Sequence, residues 1–172
     1  MTTAAPVVSR EGTFVVFRED ALSPGSEGLW RAAVEHLARR FKAIRPLATD
    51  ELSPDRGVAG RELDVWAGSD LANWRSELER FYGDHAGVQL RRDPAVGELL
   101  RQLRGSGARL AVYGVGPREA SAAVLSYLGL DRRLDAVVLE PEGDPLAAAC
   151  SALGADPEGV RHVQTRAQVV EL

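Results

Sequence analysis

The sequence predicts an α/β fold: about four parallel strands flanked by helices, with a helical segment inserted after the first strand. Three observations predict it. Strand-length segments occur at residues 14–17, 109–113 and 136–139, which are mainly apolar, and a fourth is offered by 160–165. Helical patterns alternate with the later runs, as in a parallel sheet covered on both faces. Between residues 22 and 90 only helical spacing is found.

Phe14-Val15-Val16-Phe17 is wholly apolar, as a strand buried on both faces must be. After a polar turn, Ser26 is the N-cap candidate of a helix with Trp30, Val34, Leu37 and Phe41 on one face. Pro46 ends that pattern. Residues 47–68 are less regular, with a turn signal at Ser53-Pro54-Asp55-Arg56-Gly57. A second amphipathic helix starts near Ser69 or Asp70. It buries Leu71, Trp74, Leu78 and Phe81 and ends at Gly83. Asp93-Pro94 is a cap followed by proline at the first helical position. Val96, Leu99, Leu100 and Leu103 face inward, and Gly105 and Gly107 close that helix.

The strand at 109–113 follows. Pro117 then opens a helix with Ala120, Ala123, Val124 and Tyr127 inside and Gly129 at its end. After the strand at 136–139, Asp144-Pro145 starts a helix that buries Leu146, Ala149, Cys150 and Leu153, with Gly154 behind it. The tail from Arg166 is ambiguous. Either Val169-Val170 belongs to a short last element, or the sheet lacks a strand and offers an open edge. The order is that of a Rossmann-like three-layer parallel sheet with an inserted helical cap. Residues 12–21 and 91–172 form the core, 22–90 the cap, and 1–11 a disordered arm.

Composition narrows the function. A net charge of -4 and the lack of a basic stripe argue against a nucleic-acid partner. The single cysteine, Cys150, excludes an intrachain disulfide and a cysteine metal site, and reads as a small core residue. No signal peptide or membrane span is visible, so the expectation is a cytoplasmic protein with no membrane partner. His36, His85 and His162 lack metal-ligand spacing; His36 is expected exposed on the cap and His162 structural. Trp30, Trp66 and Trp74 all lie in the cap, as its core or as a partner-binding face.

Three stretches carry a family resemblance: GTFVVFREDAL from Gly12, the run DPAVGELLRQLRGSGARLAVYGVGPREASAAVLSYLGLDRRLDAVV from Asp93, and GDPLAAACSALGADPEGVRHV from Gly143. Together they resemble the haloacid dehalogenase-like (HAD) superfamily in its capped, C1-type form. The resemblance implies a phosphatase-like machinery: a nucleophilic aspartate after the first strand and a second aspartate two residues on. It also implies a serine or threonine after the second strand, a lysine before the third helix, and magnesium-binding acids after the fourth strand.

Carried over position by position, that machinery is degenerate. The nucleophile falls on Arg18, whose guanidinium stays protonated and has no usable lone pair. The general acid falls on Asp20, which is present. Making Asp20 the nucleophile puts the second acid on Leu22; making Glu19 the nucleophile puts it on Ala21. Neither restores the pair. The serine or threonine falls on Gly114, the lysine on Glu142-Gly143, and the metal loop on Gln164-Thr165. The only lysine, Lys42, lies in the cap, and Arg132 and Arg133 are poorly placed substitutes. Arg18 is expected to pair with Asp20 or a nearby acid, where the metal would sit.

The leading expectation is therefore a catalytically inactive HAD-like pseudo-enzyme with a regulatory or scaffold role. It would bind a protein partner, another copy of itself, or a small anion, and need no cofactor. The ligand-binding candidates are Arg18, Asp20, Gly114, Val115, Gly116 and Arg118, because amides at a helix start attract anions. The alternatives at these positions are an ion pair at a strand end and a tight turn into a helix. The second functional reading is an active phosphatase with displaced residues, which would require magnesium.

Overall fold

The computed structural model describes residues 13–172; the arm expected at 1–11 lies outside the described residues, as does Gly12. The chain enters the sheet with strand β1, Phe14–Arg18. Strands β2 (Arg109–Tyr113), β3 (Ala136–Val138) and β4 (Val160–Val163) follow. All pairings are parallel, in the order β3-β2-β1-β4. Arg18 is level with Tyr113, and Phe17 with Val163, so the C-terminal ends of the strands form one rim.

Period-two alternation builds the layers. Val15 and Phe17 of β1 point to one face, with Leu110 and Val112 of β2. Helix α5 (Pro94–Gly105) covers this face with Val96 and Leu100, and α6 (Arg118–Leu128) with Leu125. Val16, Ala111 and Tyr113 point to the other face, covered by Ala149, Cys150 and Leu153 of α7, Pro145–Leu153. Cys150 is buried, as its apolar run implied, and burial pushes its thiol pKa up. Asp93 and Asp144 cap α5 and α7 with a proline in the first turn of each. Among the described residues no helix is long and apolar enough to cross a membrane.

The one-turn helix α1 (Glu19–Leu22) leaves β1 directly. The cap follows as α2 (Ser26–Phe41), α3 (Arg56–Ala67) and α4 (Trp74–Gln89). The expected faces, Trp30-Val34-Leu37-Phe41 and Leu71-Trp74-Leu78-Phe81, are buried against one another. Trp66 is partly buried and donates from Nε1 to the Pro46 carbonyl. Ala120 and Val124 of α6 belong to this same apolar cluster, so cap and core meet without a polar seam.

Several expectations are corrected. Residues 47–68 contain a full helix, α3, capped by Asp55, whose carboxylate accepts from the Val58 amide. Helix α4 starts later, at Trp74, and runs through Gly83 to Gln89; Gly83 sits on the solvent face, where its missing side chain leaves no gap. Ser26 is the first helical residue rather than the cap, because Gly25 makes the turn with φ of 88°. His36 is half-buried and bonds Glu77 across the cap at 2.8 Å. Tyr127 is exposed and lies under Arg92, while Leu125 takes the inward place. The tail is helix α8, Arg166–Val170, which inserts Val169 into the core while Arg166 pairs with Asp93.

Two features hold the cap down on the rim. Gly60 of α3 packs so tightly on Pro117 that a Cβ there would lie 2.9 Å from the proline ring. Arg75 of α4 uses all five of its donors. It bonds Asp64 of the cap at 3.1 and 2.8 Å, Glu119 of α6 at 2.9 Å, and Glu140 beyond β3 at 2.9 and 2.7 Å. Glu140 reaches this position with a left-handed backbone, φ 48°.

Candidate functional site

The end of β1 delivers three charged residues in a row, and the turn into α1 sends them different ways. Arg18 ends the strand at the rim. Glu19 turns inward and is 1% exposed. Its carboxylate accepts the Val115 N–H at 3.1 Å. Burial pushes its pKa up, against the opposing pull of Ser121, Arg56 and the Val115 amide. Asp20 returns to the rim. Its Oδ1 lies 3.2 Å from Arg18 Nε, and its Oδ2 lies 3.9 Å from Arg56 of α3. The expected pairing of Arg18 with Asp20 is therefore present. It is loosely made: Asp20 Oδ1 is buried yet accepts no hydrogen bond among the described residues.

Three amides of the loop after β2 are taken up by the protein. The Gly114 amide donates to Val138, the Val115 amide to Glu19, and the Arg118 amide to Glu140. Pro117 has no N–H to offer. The Arg118 side chain turns away to the Leu139 carbonyl, so it does not join Arg18 as expected. Gly114, where the resemblance puts a phosphate-holding hydroxyl, is filled from behind. A Cβ there would lie 2.7 Å from Ser121 Oγ and 2.8 Å from Ser121 Cβ. Gly114→Ser is accordingly expected to destabilise the fold by about 1–3 kcal/mol, the usual range for overpacking, rather than to restore the hydroxyl. Thermal unfolding of the single variant and of Gly114→Ser/Ser121→Ala measures this; the double variant should recover most of the loss.

The other two rim loops also have structural duties. Glu142 is exposed on the turn before α7. Thr165 caps α8 in a reciprocal capping box with Gln168, whose side-chain oxygen also accepts the Gln164 amide at 2.7 Å. His162 of β4 bonds the Tyr113 hydroxyl at 2.8 Å, consistent with a structural histidine. Arg133 lies against Gly97 of α5, away from the rim.

A magnesium ion in such a site needs oxygen ligands, normally including one or two carboxylates. The residues here do not fit it. The rim offers Asp20 between two guanidiniums, Arg18 where a ligand would stand, and an amide and a hydroxyl at Gln164 and Thr165.

Two cavities flank Arg18. The larger, about 510 Å³, opens between the cap and the rim and is lined by Arg18, Asp20, Arg56, Trp30, Leu52 and Asp50 among others. The smaller, about 380 Å³, adjoins Tyr113, Gly114, Val115, Gly116 and Glu140. The candidates Arg18, Asp20, Gly114, Val115 and Gly116 thus do line cavities, and Arg118 does not. Sequence reading missed Arg56, Glu19 and Ser121. Glu19 was visible as an acid between two motif positions, but nothing in the sequence signals that Arg56, 38 positions beyond Arg18, folds over the rim.

This sheet order, the cap after β1 and the rim between them define a haloacid dehalogenase-like fold. Solved structures agree. A hydrolase from Pseudomonas syringae is 17% identical, with a TM-score of 0.65 over 89% of this chain and 74% of that one. A protein from Haemophilus somnus 129pt, described as a predicted phosphoglycolate phosphatase, is 17% identical with a TM-score of 0.64, over 89% and 76%. A protein from Bacteroides fragilis, described as a haloacid dehalogenase-like hydrolase, is 15% identical with a TM-score of 0.62, over 94% and 85%. No family model matches the chain, and neither does any curated protein.

Proposed function

We propose that this protein is a catalytically inactive version of the haloacid dehalogenase-like fold that works by binding at the cleft between cap and core. The observation that carries this reading is Arg18 at the end of β1, paired with Asp20 where an attacking carboxylate would stand. A guanidinium cannot form a phosphoryl-enzyme bond. The neighbouring carboxylates do not replace it: Glu19 is buried against the Val115 amide, and Asp20 lies between two cations. The cleft favours a small ligand over a protein partner. The exposed large apolar residues Ile44, Val65, Val88, Tyr127, Val137 and Val170 are spread over six different segments. A regulatory role then follows from ligand capture without turnover.

The test is hydrolysis of p-nitrophenyl phosphate with added magnesium, by the native protein and by Asp20→Ala. The expected result is the same background rate for both. Turnover that persists through repurification and is lost in Asp20→Ala would establish the other reading, an active phosphatase with displaced residues.

A further inference from the structure

Two guanidiniums meet at the base of the larger cavity, and neither has its hydrogen-bond donors filled by the fold. Arg18 and Arg56 touch Asp20 at 3.2 and 3.9 Å, and neither donates a hydrogen bond among the described residues. Arg75, by contrast, spends every donor on carboxylates. The Arg56 side chain is only 11% exposed, so its donors have little water to turn to. Leaving a charged group so enclosed and unbonded is costly unless a ligand completes it.

The charge count selects the ligand. Arg18 and Arg56 face Asp20 at the base, with the buried Glu19 carboxyl coupled to Arg56 behind them, so the base carries at most one positive charge. The mouth carries Glu27, Glu35 and Asp50; Arg31 pairs with Glu27 and Arg39 with Glu35, which leaves Asp50 unmatched among the described residues and discourages polyanions. Trp30, Val34, Leu52 and Pro54 add apolar wall between base and mouth. The geometry points to a binding site for a small organic carboxylate: its singly charged, planar head on the forks of Arg18 and Arg56, its apolar body along Trp30 and Leu52. Guanidinium forks match a carboxylate in shape, and a base with at most one excess positive charge suits a monoanion better than a polyanion. Asp20 is then the internal occupant that the ligand displaces. This inference rests on the binding-only reading and names its ligand class.

Benzoate, its neutral analogue benzamide, and phenyl phosphate with magnesium test it by calorimetric titration, with melting curves to verify that each variant folds. Benzoate should bind and benzamide should not. Arg18→Gln and Arg56→Gln should each weaken benzoate roughly tenfold, the usual worth of a charge-assisted hydrogen bond. Asp20→Asn should tighten it about fivefold by removing the competitor. Failure of benzoate to bind at millimolar concentration, equal binding of benzamide, or weaker benzoate binding in a folded Asp20→Asn would each overturn the site. Hydrolysis of phenyl phosphate reports separately: it would refute the binding-only reading, while the benzoate titrations still judge the carboxylate seat.

Discussion

Arg75→Ala is expected to lower the melting temperature by roughly 5–10 °C, corresponding to about 2–3 kcal/mol. Five hydrogen bonds to three carboxylates disappear together, and Asp64, Glu119 and Glu140 are left facing one another. The guanidinium is 26% exposed, which keeps the loss below that of a fully buried network. The contact over Trp74, 5.0 Å from the ring centre, is lost as well. Arg75→Lys should recover only part of the stability, because an ammonium cannot match several carboxylates with a planar fork. Added salt should narrow the gap between the native protein and Arg75→Ala by screening the stranded acids. An Arg75→Ala variant that melts within 1–2 °C of the native protein would mean that apolar packing alone holds the cap.

The clasp also sets an acid limit. The hydrogen bonds from Arg75 hold Glu140 below its ordinary value of 4.5, outweighing burial. A carboxyl with a depressed folded-state pKa stabilises above its unfolded value and loses that contribution as pH falls through the folded one. The clasp should therefore hold at neutral pH, begin to weaken as pH falls past 4.5, and be lost only as pH falls through the lower folded-state value.

Glu19 is expected to act in the opposite sense. Its pKa is raised chiefly by burial, so its contribution is intact below the unfolded value near 4.5 and is lost as pH rises through the folded one. Glu19→Gln keeps an acceptor for the Val115 amide and removes the charge. It should raise the melting temperature at pH 8, by about 2–4 °C for each 1 kcal/mol recovered, and change little at pH 4. Glu19→Ala should instead cost about 2–4 kcal/mol, since it strands the Val115 amide and opens a cavity beneath the loop. Melting curves of both variants across this pH range separate charge from hydrogen bonding. Equal destabilisation of the two at pH 8 would show that the ionised carboxylate is what the loop requires.

The sheet was legible because its signals are local. Residues 14–17 and 109–113 form strands as expected, and Asp93-Pro94 and Asp144-Pro145 start helices where they should. The cap was less legible because glycine was read as a stop. Gly57, read as part of a turn, hid the start of α3, and Gly83, read as an end, stands inside α4. At the site, the charged run Arg18-Glu19-Asp20 at the end of β1 was visible in the sequence alone. The inward turn of Glu19, the reach of Arg56 and the filling of the Gly114 position by Ser121 depend on tertiary contacts between distant segments. The acids that take up the Val115 and Arg118 amides, Glu19 and Glu140, likewise come from other loops and could not be read from the segment itself.

Helix α6 gives Ala120 and Val124 to one apolar cluster and Leu125 to another, and Leu128 packs against both. Melting either half alone would strip that helix of its neighbours and wet a greasy flank of the half that remained. The two halves are thus thermodynamically welded: heating should produce one cooperative transition, and excising residues 22–90 should leave a remnant that aggregates rather than a minimal sheet domain.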